Sequence, residues 1–182
     1  MQESLISKKL YSKEEIKALN EKYRDLSVEE RVKQLYVDFD ASDVMLTSSF
    51  AATSALLLSV FSKSNSKQKI YFIDTGYHFP ETLEYREKLT ELYGLSVESV
   101  SAGKEDHAFT SKNKTWETDP ELCCSINKVK PLELIKSRFS VWVSGLMSIC
   151  KDCNYIWRFI VKNKCIFNAK PIPIFGWALL FV

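Results

Sequence analysis

The feature that most constrains the fold of this chain is an alternation of short and long apolar segments between residues 43 and 100. In chain order, the segments are 43–49, 51–61, 69–74, 81–93 and 95–100. The three short segments have the length and composition of buried strands, and the two longer ones are typical of helices. Strands that alternate with helices predict a parallel sheet with helical crossover connections. We therefore expect an α/β fold in which a parallel sheet is flanked by helices.

Two capping-box patterns, Ser12 to Glu15 and Ser27 to Glu30, precede these segments, and apolar residues at helical spacing follow each of them. They predict two short amphipathic helices. A chain of 182 residues fits one domain and can bury a hydrophobic core without disulfides. We expect residues 1–38 to form a helical segment packed on an α/β domain of residues 39–182, whose C-terminal part is incomplete.

The pattern is weaker after the third predicted strand. Residues 102–122 are polar and predict a mostly irregular segment. Residues 123–136 predict a helix, with Pro131 as a kink or a restart. Residues 140–143 predict a fourth short strand, whereas 155–167 are compatible with either strand or helix.

Charge and hydropathy argue against several classes of partner. The formal net charge is +2, without the clustered basic face that a nucleic-acid-binding protein needs. The N-terminus lacks an apolar run of signal-peptide length, and the longest apolar stretch, Ile172 to Val182, is about half of the ~20 residues that a spanning helix needs. We therefore expect no nucleic-acid partner, no membrane segment and a cytoplasmic location, where thiols stay reduced.

Hydroxyl side chains are concentrated where the first predicted strand passes into its helix. They are Thr47, Ser48, Ser49, Thr53 and Ser54. In open α/β sheets, ligands bind beyond the carboxyl ends of the strands. Hydroxyls and free backbone N–H groups at a helix N-terminus suit a phosphate or sulfate. The pattern favours an oxyanion site slightly over ordinary helix-capping and turn residues.

A second candidate segment follows the second predicted strand. Asp74 could accept hydrogen bonds from ribose hydroxyls or an adenine amino group, and Gly76 permits close backbone approach. Adjacent strand ends share one crevice, so this segment and the hydroxyl-rich turn could hold two ends of one nucleotide. A capped turn is the alternative, since Asp, Thr and Gly all favour turns. His78 alone is more often a hydrogen-bonded histidine than a catalyst.

Four ordered motifs resemble the adenylyl-sulfate/phosphoadenylyl-sulfate (APS/PAPS) reductase family. They are SSFxxxS at 48–54, IDTGYxFPET at 73–82, WETDPELCCSINKVKPL at 116–132 and WVSGL at 142–146. The resemblance covers about residues 40–147. It implies an α/β fold of the adenine nucleotide α-hydrolase-like (PP-loop) type. It also implies reduction of adenylyl sulfate, or of its 3′-phosphorylated form, to sulfite and AMP or 3′-phospho-AMP, with thioredoxin or glutaredoxin as reductant.

The resemblance also implies roles for particular residues. Ser48, Ser49 and Ser54 would line the phosphosulfate end of the substrate. Asp74, Thr75 and Gly76 would lie at the adenosine end, and Lys128 would add positive charge. In full, the implied substrate-binding residues are Ser48, Ser49, Phe50, Ser54, Asp74, Thr75, Gly76, Lys128, Gly145 and Leu146.

An adjacent pair, Cys123 and Cys124, marks the members of this family that bind a [4Fe-4S] cluster, and those members generally prefer adenylyl sulfate. A cluster needs four thiolates. The family supplies the other two from a distant Cys-x-x-Cys, whereas Cys150 and Cys153 begin only 26 residues after Cys124. These four thiols could meet around a cluster, or the later two could be chance thiols in a diverged segment. Cys165, in an apolar context, is expected in the core.

The family's nucleophile is a cysteine in a Glu-Cys-Gly-Leu/Ile-His segment. None of the five cysteines here stands in such a segment. We therefore identify no catalytic residue and expect a truncated or diverged family member without activity. A non-catalytic sulfonucleotide-binding module is the alternative. An ATP-pyrophosphatase of the same fold is more distant, because residues 49–54 lack the glycines and the aspartate that its magnesium-binding loop needs.

Overall fold

The computed structural model describes residues 11–52, 54–150, 153–161 and 164–165, and only the backbone of 145–150, 153–161 and 164–165. Within these residues, six strands form one sheet. They are β1 (Val44–Thr47), β2 (Lys69–Ile73), β3 (Ser96–Val100), β4 (Val141–Cys150), β5 (Cys153–Val161) and β6 (Lys164–Cys165). The strand order is β3-β2-β1-β4-β5-β6.

Helices connect and flank the strands. In chain order they are α1 (Lys13–Tyr23), α2 (Val28–Asp38), α3 (Ser54–Ser64), α4 (Pro80–Tyr93), α5 (Lys104–Lys112), α6 (Thr115–Thr118), α7 (Pro120–Cys124) and α8 (Lys130–Lys136). A 3₁₀ turn at Ala41–Asp43 precedes β1, and a π-helical turn at Ser125–Val129 joins α7 to α8. Helical backbone is therefore almost continuous from 120 to 136, which confirms the helix predicted at 123–136.

The first four strands are mutually parallel. β1 pairs in parallel with β2 on one side and with β4 on the other, and β2 pairs in parallel with β3. The predicted parallel sheet flanked by helices is thus confirmed. β5 and β6 extend the sheet in antiparallel fashion, so the ambiguous segment 155–167 is strand as far as Val161.

The core lies on both faces of β1, whose four residues are all buried. Val44 and Leu46 belong to the larger apolar cluster, together with Leu58 of α3 and Phe72 of β2. Met45 points to the opposite face, where Tyr71 and Ile135 complete a smaller cluster. This double burial explains why β1 is continuously apolar rather than alternating.

The two N-terminal helices form as their capping boxes predict. Ser12 and Ser27 each accept the backbone N–H of the glutamate three residues later, and that glutamate accepts the serine N–H. The hydrogen bonds from Ser27 lower the pKa of Glu30. Ile16 and Tyr23 of α1, and Val32 and Leu35 of α2, join the larger core cluster. The domain boundary between residues 38 and 39 stays a prediction.

The prediction of a mostly irregular segment at 102–122 is wrong. Helices α5 and α6 and the start of α7 occupy most of it. These helices expose almost all of their residues, and within 102–122 only Thr110 and Thr115 are buried. A helix that buries so little apolar surface shows no amphipathic period, and for this reason the sequence pattern missed it.

Replacing a core residue of α3 tests the packing on β1. Leu58 is fully buried, so Leu58→Ala should lower the free energy of unfolding by about 2–5 kcal/mol through lost burial and the cavity that remains. Leu92→Ala is the control, because Leu92 of α4 is 69% exposed and its loss should cost no more than about 0.5 kcal/mol. Urea unfolding of both variants gives the comparison. Equal losses would show that α3 is not packed as described.

Candidate functional site

The chain leaves β1 through a short segment, residues 48–52, that leads toward Ser54 at the start of α3; we call residues 48–52 and 54 the hydroxyl turn. The Ser48 N–H donates to Tyr71 O at 3.1 Å and extends the pairing with β2 by one residue. Ser48 Oγ then accepts the Phe50 N–H at 3.0 Å. Phe50 adopts a left-handed φ of 53°, which is uncommon for a non-glycine residue. Its side chain is 1% exposed and packs in the core, so burial of the ring offsets the backbone strain.

The hydroxyls of this region have different environments. Thr47 Oγ1 accepts the Trp142 indole N–H at 2.8 Å and lies 3.5 Å from Val143 O, so it is used to hold β1 against β4. Ser49 is exposed, whereas Ser54 is buried as the first residue of α3. Thr53 lies outside the described residues. Ser48 is buried as well, and the Ser54 N–H donates to Ala51 O at 2.8 Å. The hydroxyl turn therefore exposes Ser49 close to the N-terminus of α3, where the helix dipole favours an anion.

Residues 74–79, which we call the aspartate loop, follow β2. The Asp74 N–H donates to Val100 O at 2.8 Å, and Asp74 Oδ1 accepts the Gly76 N–H at 3.0 Å. Thr75 Oγ1 accepts the Tyr77 N–H at 3.2 Å. These two side-chain-to-backbone bonds are typical of Asx and Ser/Thr turns. They fix the loop while the Asp74 carboxylate keeps acceptor capacity for another donor.

His78 supports this loop from within the fold. Its Nε2 lies 3.1 Å from Ile73 O and 3.4 Å from the Thr75 backbone nitrogen. One ring nitrogen cannot donate and accept at once, and the shorter contact assigns the proton to Nε2 as a donor to Ile73 O. The ring also stacks on Phe72 at 4.7 Å between centroids. His78 thus holds the loop, in agreement with its interpretation as a hydrogen-bonded histidine.

Phe72 joins the hydroxyl turn to the aspartate loop. Its ring packs edge-on against Phe50 at 5.7 Å and faces His78 at 4.7 Å. Each loop therefore rests on the same buried side chain of β2. Because β1 and β2 are adjacent and parallel, the serines that follow β1 and Asp74 that follows β2 lie at one edge of the sheet. A polar ligand that bridges them would lie beyond the carboxyl ends of β1 and β2.

The other predicted ligand-binding residues lie on neighbouring elements. In β4, Ser144 is opposite Thr47, so the backbone of Gly145 and Leu146 continues past the end of β1. The side chains of these two residues lie outside the described part of the structure. Lys128 is exposed on the π-helical turn. The Phe50 side chain is turned into the core, so a ligand could contact Phe50 only through its backbone.

Sequence reasoning missed a layer of side chains behind the aspartate loop. The Tyr77 ring lies between His107 at 5.1 Å and Trp116 at 5.0 Å. The Tyr77 hydroxyl is 2.9 Å from Thr110 Oγ1, which also contacts the Asn127 amide at 3.1 Å. Three of these residues lie within motifs that the sequence displays: Tyr77 in 73–82, and Trp116 and Asn127 in 116–132. His107 and Thr110 lie on α5, a helix that the sequence pattern did not reveal.

The cysteine pair supplies two thiols at the end of α7. Cys123 is buried and Cys124 is half-buried. Within the part of the chain that the structure describes, no three His, Cys, Asp or Glu side chains come together as metal ligands. The backbones of Cys150 and Cys153 are paired across β4 and β5. The side chains of Cys150, Cys153 and Cys165 lie outside the described part of the structure. The described thiols alone do not fit the four-thiolate requirement of a [4Fe-4S] cluster.

Comparison with known proteins assigns the family. Residues 43–148, which include the hydroxyl turn, the aspartate loop, the cysteine pair and Lys128, match the phosphoadenosine phosphosulfate reductase domain. The chain belongs to this reductase family. The matched range begins just before the strand β1 and ends within β4, so it contains β1, β2, β3 and most of β4.

Curated relatives of this reductase domain are bacterial adenosine 5′-phosphosulfate reductases. The Bacillus cereus (strain Q1) protein is 29% identical over 139 residues, which are 75% of this chain and 59% of that protein. The Staphylococcus saprophyticus protein is 29% identical over 143 residues, with 77% and 59% covered. The chain thus spans less than two thirds of the length of these relatives.

A solved structure supports the fold of the reductase domain. The crystal structure of phosphoadenylyl-sulfate reductase from Candida auris, a phosphate complex, superposes with a TM-score of 0.65 at 23% identity. The alignment covers 79% of this chain and 76% of that one. This similarity confirms the predicted adenine nucleotide α-hydrolase-like fold. In addition, no helix among the described residues is long and apolar enough to span a membrane.

Gly76 offers a direct test of the aspartate loop. Its φ is +74°, and an added Cβ would lie 2.6 Å from His107 Cε1. Gly76→Ala should therefore cost about 1 kcal/mol for placing an alanine in the left-handed region, and more for displacing His107. Together the two effects should lower the free energy of unfolding by about 2–3 kcal/mol.

Two other glycines separate these contributions. Gly94 has a φ of +59° with nothing within 4 Å of an added Cβ, so Gly94→Ala reports the backbone cost alone. At Gly103, the nearest atom would be Asp106 Oδ2 at 3.9 Å, and φ is −57°, so Gly103→Ala should be nearly neutral. Urea unfolding of the three variants gives the ranking. A Gly76→Ala variant no less stable than Gly94→Ala would contradict the described contact with His107.

Proposed function

We propose that this chain binds adenylyl sulfate, or its 3′-phosphorylated form, as the nucleotide-binding part of an assimilatory sulfonucleotide reductase. The observation that carries the proposal is the convergence of the hydroxyl turn and the aspartate loop on Phe72, at one edge of the parallel sheet. The family match supports the same ligand class. The bacterial relatives named as adenosine 5′-phosphosulfate reductases favour the form without a 3′-phosphate.

The phosphosulfate group would bind at the hydroxyl turn. Ser48, Ser49 and Ser54 would supply hydroxyls there, and the positive end of the α3 dipole would favour an anion. Lys128 would neutralise part of the ligand charge, since a charge-assisted hydrogen bond to an anion is stronger than a neutral one. The phosphate complex of the Candida auris relative supports an oxyanion site in this fold.

The adenosine end would bind at the aspartate loop. Asp74 has carboxylate acceptor capacity beyond its bond to Gly76, which suits ribose hydroxyls or the adenine amino group. Thr75 is buried beside it, and the left-handed Gly76, without a side chain, lets the His107 ring pack directly against the backbone of the loop. Gly145 and Leu146, just past the end of β1, would complete the site through their backbone.

The reaction of the whole family member would be a two-electron reduction at sulfur. A cysteine thiolate attacks the sulfate sulfur, the bond from that sulfur to the bridging phosphate oxygen breaks, and AMP or 3′-phospho-AMP leaves. A dithiol such as thioredoxin or glutaredoxin then releases sulfite and becomes a disulfide. No cysteine of the printed 182 residues has the Glu-Cys-Gly-Leu/Ile-His context of that nucleophile. We therefore propose that these residues bind the substrate in the cytoplasm without turning it over.

Two alternatives are distinguishable from this proposal. A non-catalytic sulfonucleotide-binding module would bind the sulfonucleotide equally well. Supplying a segment with the Glu-Cys-Gly-Leu/Ile-His motif would then not produce turnover. An ATP-pyrophosphatase would need an aspartate near its phosphate loop to hold magnesium, and residues 49–54 contain none.

A [4Fe-4S] cluster at Cys123 and Cys124 stays a prediction that needs two further thiolates, and no step of the proposed reaction depends on it.

Calorimetric titration of the purified chain with adenylyl sulfate, and separately with its 3′-phosphorylated form, tests the proposal. We expect saturable binding of at least one ligand at a 1:1 ratio, because the two loops rest on the same buried ring. ATP with magnesium is the comparison ligand and should bind more weakly. A chain that is folded by circular dichroism but binds neither sulfonucleotide would refute the proposed function.

Replacing Lys128 tests the anionic end of the site. Lys128→Ala should weaken sulfonucleotide binding about 5- to 150-fold, the effect of about 1–3 kcal/mol for a charge-assisted bond. Lys112→Ala removes another exposed cation, from α5, and should change the dissociation constant by less than about twofold. The difference between the variants should shrink as salt is added. Equal dissociation constants would exclude Lys128 from the site.

A further inference from the structure

The aspartate loop is tied to the cysteine pair by an unbroken chain of hydrogen bonds. We call its members, Tyr77, Thr110, Asn127 and Cys123, the polar network. Thr110 donates its one hydroxyl proton to His107 O at 3.0 Å. Its Oγ1 must therefore accept from the Tyr77 hydroxyl at 2.9 Å and from the Asn127 amide at 3.1 Å. Tyr77 in turn belongs to the aspartate loop, where Thr75 holds its N–H.

Asn127 is the residue at which the network meets the cysteine. Its Nδ2 lies 3.0 Å from Cys123 O and 3.6 Å from Cys123 Sγ, and Oδ1 lies 3.5 Å from His107 Nδ1. An amide has two N–H donors, so one serves Thr110 and the other is shared between the carbonyl and the sulfur of Cys123. The side chain is 1% exposed. A buried amide with all of its donors used has one orientation, because any rotation leaves a buried polar group unpaired.

The setting of Asn127 also distinguishes it from an ordinary helix residue. It lies in the π-helical turn Ser125–Val129, and such turns are frequent at functional sites. Asn127 follows Cys123 by four residues, and in this turn its side-chain amide is directed back at that residue. The next residue, Lys128, is the cation of the proposed anion site. The segment thus contacts the thiol directly and the aspartate loop through Thr110, and Lys128 would contact the proposed ligand.

We infer that Asn127 is a positioning residue that fixes the Cys123 thiol and couples it, through Thr110 and Tyr77, to ligand binding at the aspartate loop. The coupling rests on the proposed function, whereas the fixing of Cys123 by Asn127 does not. A ligand that orders the aspartate loop suppresses its local opening and holds Tyr77 on Thr110. That contact keeps Asn127 on Cys123, so ligand binding should shield the Cys123 thiol.

Site-resolved alkylation by iodoacetamide measures this shielding. Cys123 and Cys124 lie in one tryptic peptide, between Lys114 and Lys128, so tandem mass spectrometry gives both rates from one sample and Cys124 is the internal reference. Saturating adenylyl sulfate should slow alkylation of Cys123 in the wild-type chain at least about fivefold, with less than about a twofold change at Cys124. A ligand that binds and leaves the ratio of the two rates unchanged would overturn the coupling.

Two variants separate positioning from coupling. Asn127→Leu removes the donors to sulfur and should raise the ligand-free Cys123 rate, relative to Cys124, at least about fivefold. Tyr77→Phe removes the hydroxyl that donates to Thr110 but leaves the bonds of Asn127 to Thr110 and Cys123. It should keep the ligand-free ratio within about twofold of wild type and abolish most of the ligand effect. A Tyr77→Phe chain that binds adenylyl sulfate and retains the full ligand effect would contradict the path.

The matched control is Asn113→Leu. Asn113 is an exposed residue at the end of α5 that also donates its amide to a backbone carbonyl, at 2.8 Å. It should leave the ratio of the Cys123 and Cys124 rates unchanged. If the folded wild-type chain binds no sulfonucleotide, the proposed function and the coupling fail together. The ligand-free comparison of Asn127→Leu with Asn113→Leu still decides the positioning role, and equal ratios would overturn it.

Discussion

The parallel pairing of β1 with a strand on each side is the interaction on which the rest of the structure depends. All four of its residues are buried, so their peptide groups have no access to water. An unpaired polar group at such depth costs about 1–3 kcal/mol, and backbone bonds to β2 and β4 therefore fix the register of both neighbours. Thr47 consequently lies beside Tyr71 and Ser144, and the ends of three strands reach one edge.

This register decides which side chains can meet at that edge. The hydroxyl turn and the aspartate loop come from segments about 20 residues apart, yet each rests on Phe72. The aspartate loop is supported on its other side by the polar network, in which Thr110, Asn127 and Cys123 are buried and Tyr77 is half-buried. Such a network is costly if one bond is lost, so it specifies a single arrangement of the loop. Rigid support of this kind suits a site that must hold a flexible nucleotide in one geometry.

Much of the fold followed from periodicity alone. The strands β1 to β3 and the helices α1 to α4 were predictable because each buries an apolar face or carries a strong end signal, such as Pro80 or Gly94. Segment 102–122 was mispredicted because its helices bury hardly any apolar surface. The identities of Ser48, Asp74 and Gly76 pointed to a ligand before any contact was known. Whether they bind a sulfonucleotide is decided by titration rather than by pattern.

The sequence by itself determined the alternation of strands and helices, the caps of α1 and α2, and the family, because these depend on local periodicity and ordered motifs. Only the tertiary structure decided which hydroxyls face the crevice. Thr47 bonds to β4 and Phe50 turns into the core, and neither outcome is visible in a row of residues. It also decided that Asn127 joins Cys123 to the aspartate loop, because that junction needs segments about 50 residues apart to be packed together. Contacts between distant segments are set by packing, and packing has no local signature.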